Sequence, residues 1–435
     1  MTLSYPGPRL CNDVGGRIAY ATVGGTRSEG RTATVCEVVG RAMQLSMSRR
    51  TLLGGAGVAA GALAAGRVTG AQAAADGRPA NGERSDRRTR VVLLGTAGGP
   101  SVYADRLGVS TAIAVEDAFY LVDCGHGAAV RLRQSELGNV DAPRGRSFEG
   151  LRAIFLTHLH SDHVVDVPAF HITGMWNGLD DPARPVDVHG PGDRAVLPPM
   201  FGDRPEPPVI APEDPTPGTV KMFGHLQRAF ATDLNDRIRS SGASDPLGII
   251  RPHDIALPPG AGDDPNGQPS PPVEPFPVFE DERVRVTATL VDHAPVFPSF
   301  GFRFDTDDGA IAISGDTAPS DNLVRLARDA DVLVHEVIDA AWVEGLFPPP
   351  HTPETEALIA HLLESHTTIE DVGGVGQRAG ARRLVLNHMV PVDNPEGRWR
   401  QAQRGYDGRL TVGRDLMQIG VGRGRLSPRP RPARR

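Results

Sequence analysis

The 435-residue chain has three cysteines, one lysine and few aromatic residues, which make up 5% of it. Each shortage excludes something. Cys11 and Cys36 lie far upstream, which leaves Cys124 alone in the rest of the chain, so no disulfide can form there. With no helix N-terminus or basic partner to lower its pKa, Cys124 reads as a small buried residue and not as a nucleophile. Lys221 is the single lysine; every other basic side chain that is not histidine is an arginine. Long apolar runs are missing too. The one candidate, Gly54 to Ala65, falls short of the ~20 residues a spanning helix needs, so no stable membrane anchor is expected. Net charge is −7. Residues 1–75 hold eight Arg against three Asp and Glu, so the remainder stands at −12. Such a surface repels polyanions and disfavours nucleic acid as a partner.

What is present begins with an address. Ser48-Arg49-Arg50-Thr51-Leu52-Leu53 precedes the Gly- and Ala-rich stretch, and Ala71-Gln72-Ala73 and Ala73-Ala74-Ala75 offer small-residue cleavage sites. This resembles a twin-arginine export signal, which implies the twin-arginine translocation machinery as a partner and a periplasmic or extracellular destination. The chain then divides into a leader of doubtful translation (1–42), the signal (43–75), a polar linker (76–89), a catalytic domain (90–420) and a disordered basic tail (421–435). The domain carries a Pro-, Gly- and Asp-rich insertion at about 200–280 with one helix, Val220 to Ser240. A loop so long is unusual unless it is functional, so it either covers the site or decorates the surface.

The densest chemistry is Thr157-His158-Leu159-His160-Ser161-Asp162-His163, which follows the short apolar strand Leu151 to Leu156. In an extended segment the period of two puts His158 and His160 on one face, and the turn beyond brings Asp162 and His163 to a neighbouring point. Four imidazole and carboxylate ligands within six residues exceed what one tetrahedral zinc takes from one loop, so two ions are expected. A solvated His-rich turn is the bland alternative. Downstream, short apolar strands end near His293, at Asp316, at His335-Glu336 and at Asn387-His388. Strand ends in a layered α/β protein gather along one edge of the sheet, where open α/β folds put their sites. Other histidines read as structural: His171 packs within a helix from 165 to 175, and His189 alternates outward from its strand. The glycine loop Gly95-Thr96-Ala97-Gly98-Gly99-Pro100 lacks the Lys-Ser/Thr ending of a phosphate-binding loop and reads as a turn letting backbone pass near the site.

THLHSDH, then VDH at 291–293 followed by GFRF, SGDT at 314–317, LVHEV at 333–337, SHTT at 365–368 and LVLNH at 384–388 resemble, in that order, the metallo-β-lactamase superfamily. LLGTAGGP and LVDCG upstream are most similar to its ribonuclease Z branch. The resemblance implies a four-layer αββα sandwich with two Zn2+ in a groove at its edge, with iron and manganese fitting such ligands as well. Carried across, one ion takes His158, His160 and His293, and the other takes Asp162, His163 and His388. Asp316 bridges them. Two ions make a bridging hydroxide available near neutral pH and stabilise charge on a phosphoryl centre. Asp162 then orients that hydroxide or accepts its proton. His335 and His366 assist the leaving group or hold the scissile anion, with Glu336 fixing a histidine.

The bacterial enzymes of that branch carry a tRNA-gripping arm between the positions of His293 and Asp316. Here 22 residues fill that interval, enough only for a strand pair turned at Asp307-Asp308-Gly309. With the arm missing, the expected activity is hydrolysis of a small phosphodiester or sulfate ester by an exported dinuclear metalloenzyme. The alternatives are a ribonuclease Z-type tRNA 3′ endonuclease and a non-catalytic metal-binding protein of the same fold. A homodimer is implied by analogy with the family alone.

Overall fold

The computed structural model describes residues 85–143, 145–200, 206–241 and 246–422. The expected leader, export signal, most of the linker and all but two residues of the basic tail lie outside them.

Fourteen strands among the described residues form two sheets. They are β1 (Thr89–Gly95), β2 (Ser110–Val115), β3 (Ala118–Val122), β4 (Leu151–Phe155), β5 (Val186–Gly190), β6 (Ile250–Asp254), β7 (Phe276–Glu280), β8 (Arg285–Leu290), β9 (Phe300–Thr306), β10 (Gly309–Ile313), β11 (Val332–Ile338), β12 (Arg383–Val390), β13 (Arg409–Val412) and β14 (Gln418–Gly420). One sheet has the order β14-β1-β2-β3-β4-β5-β6 and the other β13-β12-β11-β10-β9-β8-β7. Strands such as β1 read as unbroken apolar runs because both faces are buried. Val91 and Leu93 enter the core between the sheets, against Phe155, Phe300, Phe302 and Phe304. Val92 and Leu94 face outward, toward the helices.

Eleven helices are described: α1 (Ala128–Ser135), α2 (Ser161–Val164), α3 (Val167–Thr173), α4 (Thr219–Ala229), α5 (Ala231–Ser241), α6 (Pro246–Ile249), α7 (Asp321–Leu326), α8 (Ala340–Leu346), α9 (Pro353–Glu364), α10 (Ile369–Ala379) and α11 (Glu396–Trp399). Leu132 of α1, Phe170 of α3 and Phe223 of α4 cover the outer face of the first sheet. Ile369 and Val372 of α10 and Trp399 of α11 cover that of the second. The architecture is therefore the expected αββα sandwich.

Several expectations change in detail. The helix read from 165 to 175 is interrupted: Pro168 starts α3 afresh, and the Asp166 carboxylate leaves the helix to accept from Ala129 N–H at 2.7 Å. The helix read from Val220 to Ser240 breaks at Phe230 into α4 and α5. The 200–280 insertion is not a loose loop. Its later part supplies β6 and β7, the edge strands of the two sheets, and residues 255–275 cross between them with Ile255 and Ala261 in the core. Proline and polar residues in IRPHD and FPVFE hid these strands, and edge strands tolerate both. His189 points inward, not outward, its ring stacked on Phe155 at 5.5 Å. It and His171, which packs on Phe223, belong to none of the ligand groups described below.

Candidate metal centre

The residues after β4 turn at once into the site. Thr157 is anchored by Asp123 at the end of β3, which accepts from Thr157 N–H at 2.8 Å and from its hydroxyl. His158 and His160 follow in extended backbone, and α2 starts at Ser161, so one helical turn carries Asp162 and His163 round to the other side. His293 arrives three residues beyond the end of β8 at Leu290. Asp316 arrives from β10 through Ser314-Gly315. Gly315 has φ +62, and a Cβ there would lie 2.6 Å from Phe300 O, so the exit from β10 is open only to glycine.

His335, Glu336 and His388 were expected at strand ends, and the structure differs. β11 and β12 run on to Ile338 and Val390. Asn387 pairs with Glu336 and Met389 with Val337, which leaves His388 as the unpaired residue of a bulge, with φ +41. A bulge re-aims a side chain without ending the strand. Alternation along β11 separates its two polar residues. Glu336 faces the site, whereas His335 is fully buried, its Nδ1 donating to Glu336 O at 2.7 Å.

Ligand-type atoms converge in two main groups, each within 4.8 Å: His158, His160 and His293 in one, Asp162, His163, Asp316 and His388 in the other. His366 lies within the same reach of His293 and Asp316. His335 joins no group among the described residues. The donor set fits a divalent metal. His158 Nε2, His163 Nε2 and Asp316 Oδ1 are buried without a hydrogen-bond partner, and His293 Nε2 lies 3.5 Å from His160 Nδ1. Imidazole and carboxylate in this number suit zinc, iron or manganese.

Electrostatics point the same way. Burial, with repulsion from His163 and His293, holds His158 well below its usual value, and burial takes His293 down to about 3. Neutral imidazole is the ligating form. Burial would also lower His163, but Asp316, Asp123 and Asp162 outweigh it and hold its proton tightly. A cation placed among those carboxylates would feel the same attraction. The Asp162 and Asp316 carboxylates stay ionised, since neighbouring His163 and His388 overcome the cost of burial.

Supporting contacts include several the sequence did not announce. Asp123 Oδ2 accepts from His163 Nδ1 at 2.8 Å, which turns Nε2 toward the site. Its signal was available, a carboxylate at a strand end like the others. Gly99 N–H donates to Asp162 Oδ2 at 3.1 Å, and a Cβ on Gly98 would lie 2.6 Å from His388 Nδ1. The glycine loop does bring backbone against the site. Glu336 Oε1 accepts from His366 Nδ1 at 3.0 Å and from the N–H groups of Thr317 and Thr367. Burial would lower His366, yet Glu336 raises it to about 9.

The Metallo-beta-lactamase superfamily profile matches residues 104–177, the stretch holding the histidine motif. A protein named Ribonuclease Z from Mycobacterium bovis (strain BCG / Pasteur 1173P2) is 30% identical over 335 residues, covering 76% of this chain and 98% of its own. A second Ribonuclease Z, from Mycobacterium sp. (strain KMS), is 31% identical over 339 residues, covering 76% and 95%. Among solved structures, the short form of human tRNase Z is 21% identical with a TM-score of 0.48, covering 76% of this chain and 99% of that one.

Proposed function

The chain belongs to the ribonuclease Z-like family of the metallo-β-lactamase superfamily and is a metal-dependent hydrolase, and from that premise we propose that it cleaves RNA phosphodiesters in the ribonuclease Z manner. The observation that carries this is the Glu336–His366 pair, set beside the ligand groups and keeping a protonated imidazole at neutral pH. Such an imidazole suits protonation of a leaving alkoxide. The assignment reverses the order expected from the sequence, where a small ester came first; the named relatives support the ribonuclease reading better.

In this proposal His158, His160 and His293 would hold one divalent ion, and Asp162, His163, Asp316 and His388 would hold a second. Two such ions, most simply zinc, supply water activation and charge stabilisation at phosphorus. The chain's own residues do the rest. Asp162, ionised and steadied by the Gly99 amide, accepts a proton on the attacking side. His366 gives one on the leaving side, and Glu336 orients it. His335 joins none of the ligand groups among the described residues, and no proton is assigned to it in this proposal.

A second reading, a small phosphodiester or sulfate ester, draws on one observation: only the β9–β10 hairpin lies between His293 and Asp316. Export by the twin-arginine route, proposed from Arg49 and Arg50, would favour it, since an exported enzyme meets no precursor tRNA. The test combines substrate and place. Precursor tRNA, bis(p-nitrophenyl) phosphate and p-nitrophenyl sulfate are offered to metal-loaded protein and to Asp162→Ala. Metal-dependent 3′ cleavage of the tRNA, lost in the variant, is the expected result. Turnover of the small esters alone would transfer the assignment to the second reading. Two bound metals with no turnover at all would leave a binding protein. Retention of Arg49→Lys/Arg50→Lys protein in the cytoplasm, with wild type outside it, tests export. Sedimentation velocity tests the homodimer carried over from the family.

A further inference from the structure

The histidines of the site differ in what stands behind them. Behind His163 is the Asp123 carboxylate, and behind His366 the Glu336 carboxylate. Behind His293 stands a backbone carbonyl. Its Nδ1 lies 2.8 Å from Ser365 O. A carbonyl only accepts, so Nδ1 carries the proton and the Nε2 lone pair faces the site, opposite His160. Ser365 is the C-cap of α9, a twelve-residue helix, and its carbonyl lies where helix carbonyls lack an intrahelical partner and the helix dipole is negative. The same residue grips the neighbouring peptide: Ser365 Oγ donates to Ala294 O at 2.5 Å. Ser365 is 2% exposed, so water competes with neither bond.

We propose that Ser365, at the C-terminus of α9, is the positioning residue for His293 and sets metal affinity in the His158, His160 and His293 group. A partial negative charge behind a ligating imidazole fixes its tautomer and raises its basicity, as a carboxylate does. None of the twelve residues of α9 is buried. The segment at its end ties it to the site: Ser365 binds the His293 loop, His366 binds Glu336, and the Thr367 hydroxyl donates to Thr317 O at 2.6 Å. Metal affinity on one side of the site thus depends on the docking of an outlying helix. The inference rests on the ligand assignment proposed above and is independent of the substrate.

The test is chelator competition with zinc, and cobalt absorption, on the full chain. Ser365→Ala keeps the carbonyl behind His293 but removes the hydroxyl's grip on Ala294 O, so it should loosen the His293 loop and weaken one of two sites about 2–5-fold, less than the 10–100-fold cost of losing an outer-sphere partner outright. Ser365→Thr, which keeps the hydroxyl, should restore it. Glu364→Lys, an exposed change at the same helix end, should weaken that site about 2–5-fold at low salt and less at high salt. The metal-free Tm should stay at the wild-type value in Ser365→Thr and Glu364→Lys, and fall only by the few degrees that one lost buried hydrogen bond costs in Ser365→Ala. Equal weakening of both sites in step with a fall in Tm, or unchanged affinity in Ser365→Ala and Glu364→Lys, would overturn the proposal. Failure of wild type to cleave any substrate would remove the functional reading and leave these titrations standing.

Discussion

A histidine in this site is defined by its second nitrogen. His163 and His366 each give one nitrogen to a carboxylate, and each is held protonated against the cost of burial. His158 and His293 lack that partner and stay neutral. The consequence for His366 can be measured. Its pKa, raised to about 9, means that an acid on this residue is lost only as pH climbs past that value. Glu336→Gln removes the charge responsible, so the alkaline fall of kcat/KM should move down by one to two units, while a metal-limited acid limb stays in place. An unmoved alkaline limb would take the proton-donor role from His366. The seven residues that converge at the site were legible as metal-binding side chain types near strand ends and through the family motifs that hold them. Asp123 was equally legible and passed over. Ser365 was not, since the atom that matters belongs to the backbone and no side chain advertises it.

Elements were easier to find than to end. Apolar runs announced β4 and the β9–β10 pair with small errors at the boundaries. The ends of β11 and β12 were missed because a bulge leaves no mark in composition, and the break at Phe230 because the apolar spacing continues through it. The bulge at His388 makes a prediction. Gly98→Ala would bring a Cβ within 2.6 Å of His388 Nδ1 and 2.7 Å of Val390 Cγ2, so the ring or the loop must move. Metal content in the Asp162, His163 and His388 group should fall, and stability by about 1–3 kcal/mol, read by metal analysis and denaturant midpoint. On β5, His189 is pushed by burial to about 4. Its folded pKa lies below the unfolded value near 6.5, so the unfolded chain takes the proton first. Stability from this residue is complete above pH 6.5 and is lost as pH falls toward 4, by up to about 3 kcal/mol. His189→Phe, which keeps the stacking on Phe155, should flatten that interval in a plot of denaturant midpoint against pH. An unchanged slope would show that other groups set it.

At the scale of the molecule, each flank of the sandwich is closed by a strand pair that straddles both sheets. β6 and β7 do so on one flank, joined by 255–275, and β13 and β14 on the other, joined by 413–417. Composition gave no hint of either, because edge strands are short and carry little apolar surface. Ile419 and Val421 nevertheless enter the inter-sheet core. Ending the chain after Met417 keeps Asp415, which anchors Thr96, Leu107 and Arg131, but removes these two side chains. The loss should be on the order of 3–6 kcal/mol, seen as a lower Tm in the metal-free protein. β14 also pairs with β1, joining Val92 to Gln418 and Arg90 to Gly420. During synthesis the first described strand therefore waits for the last. Until then β1 presents an open backbone edge beside its apolar face, an invitation to pair with another chain. Every side chain of the metal centre has been made by residue 388, yet the sheet beneath it stays unfinished for another thirty residues. The edge that the metal centre's own sheet leaves open is thus closed only when Gln418–Gly420 has been made.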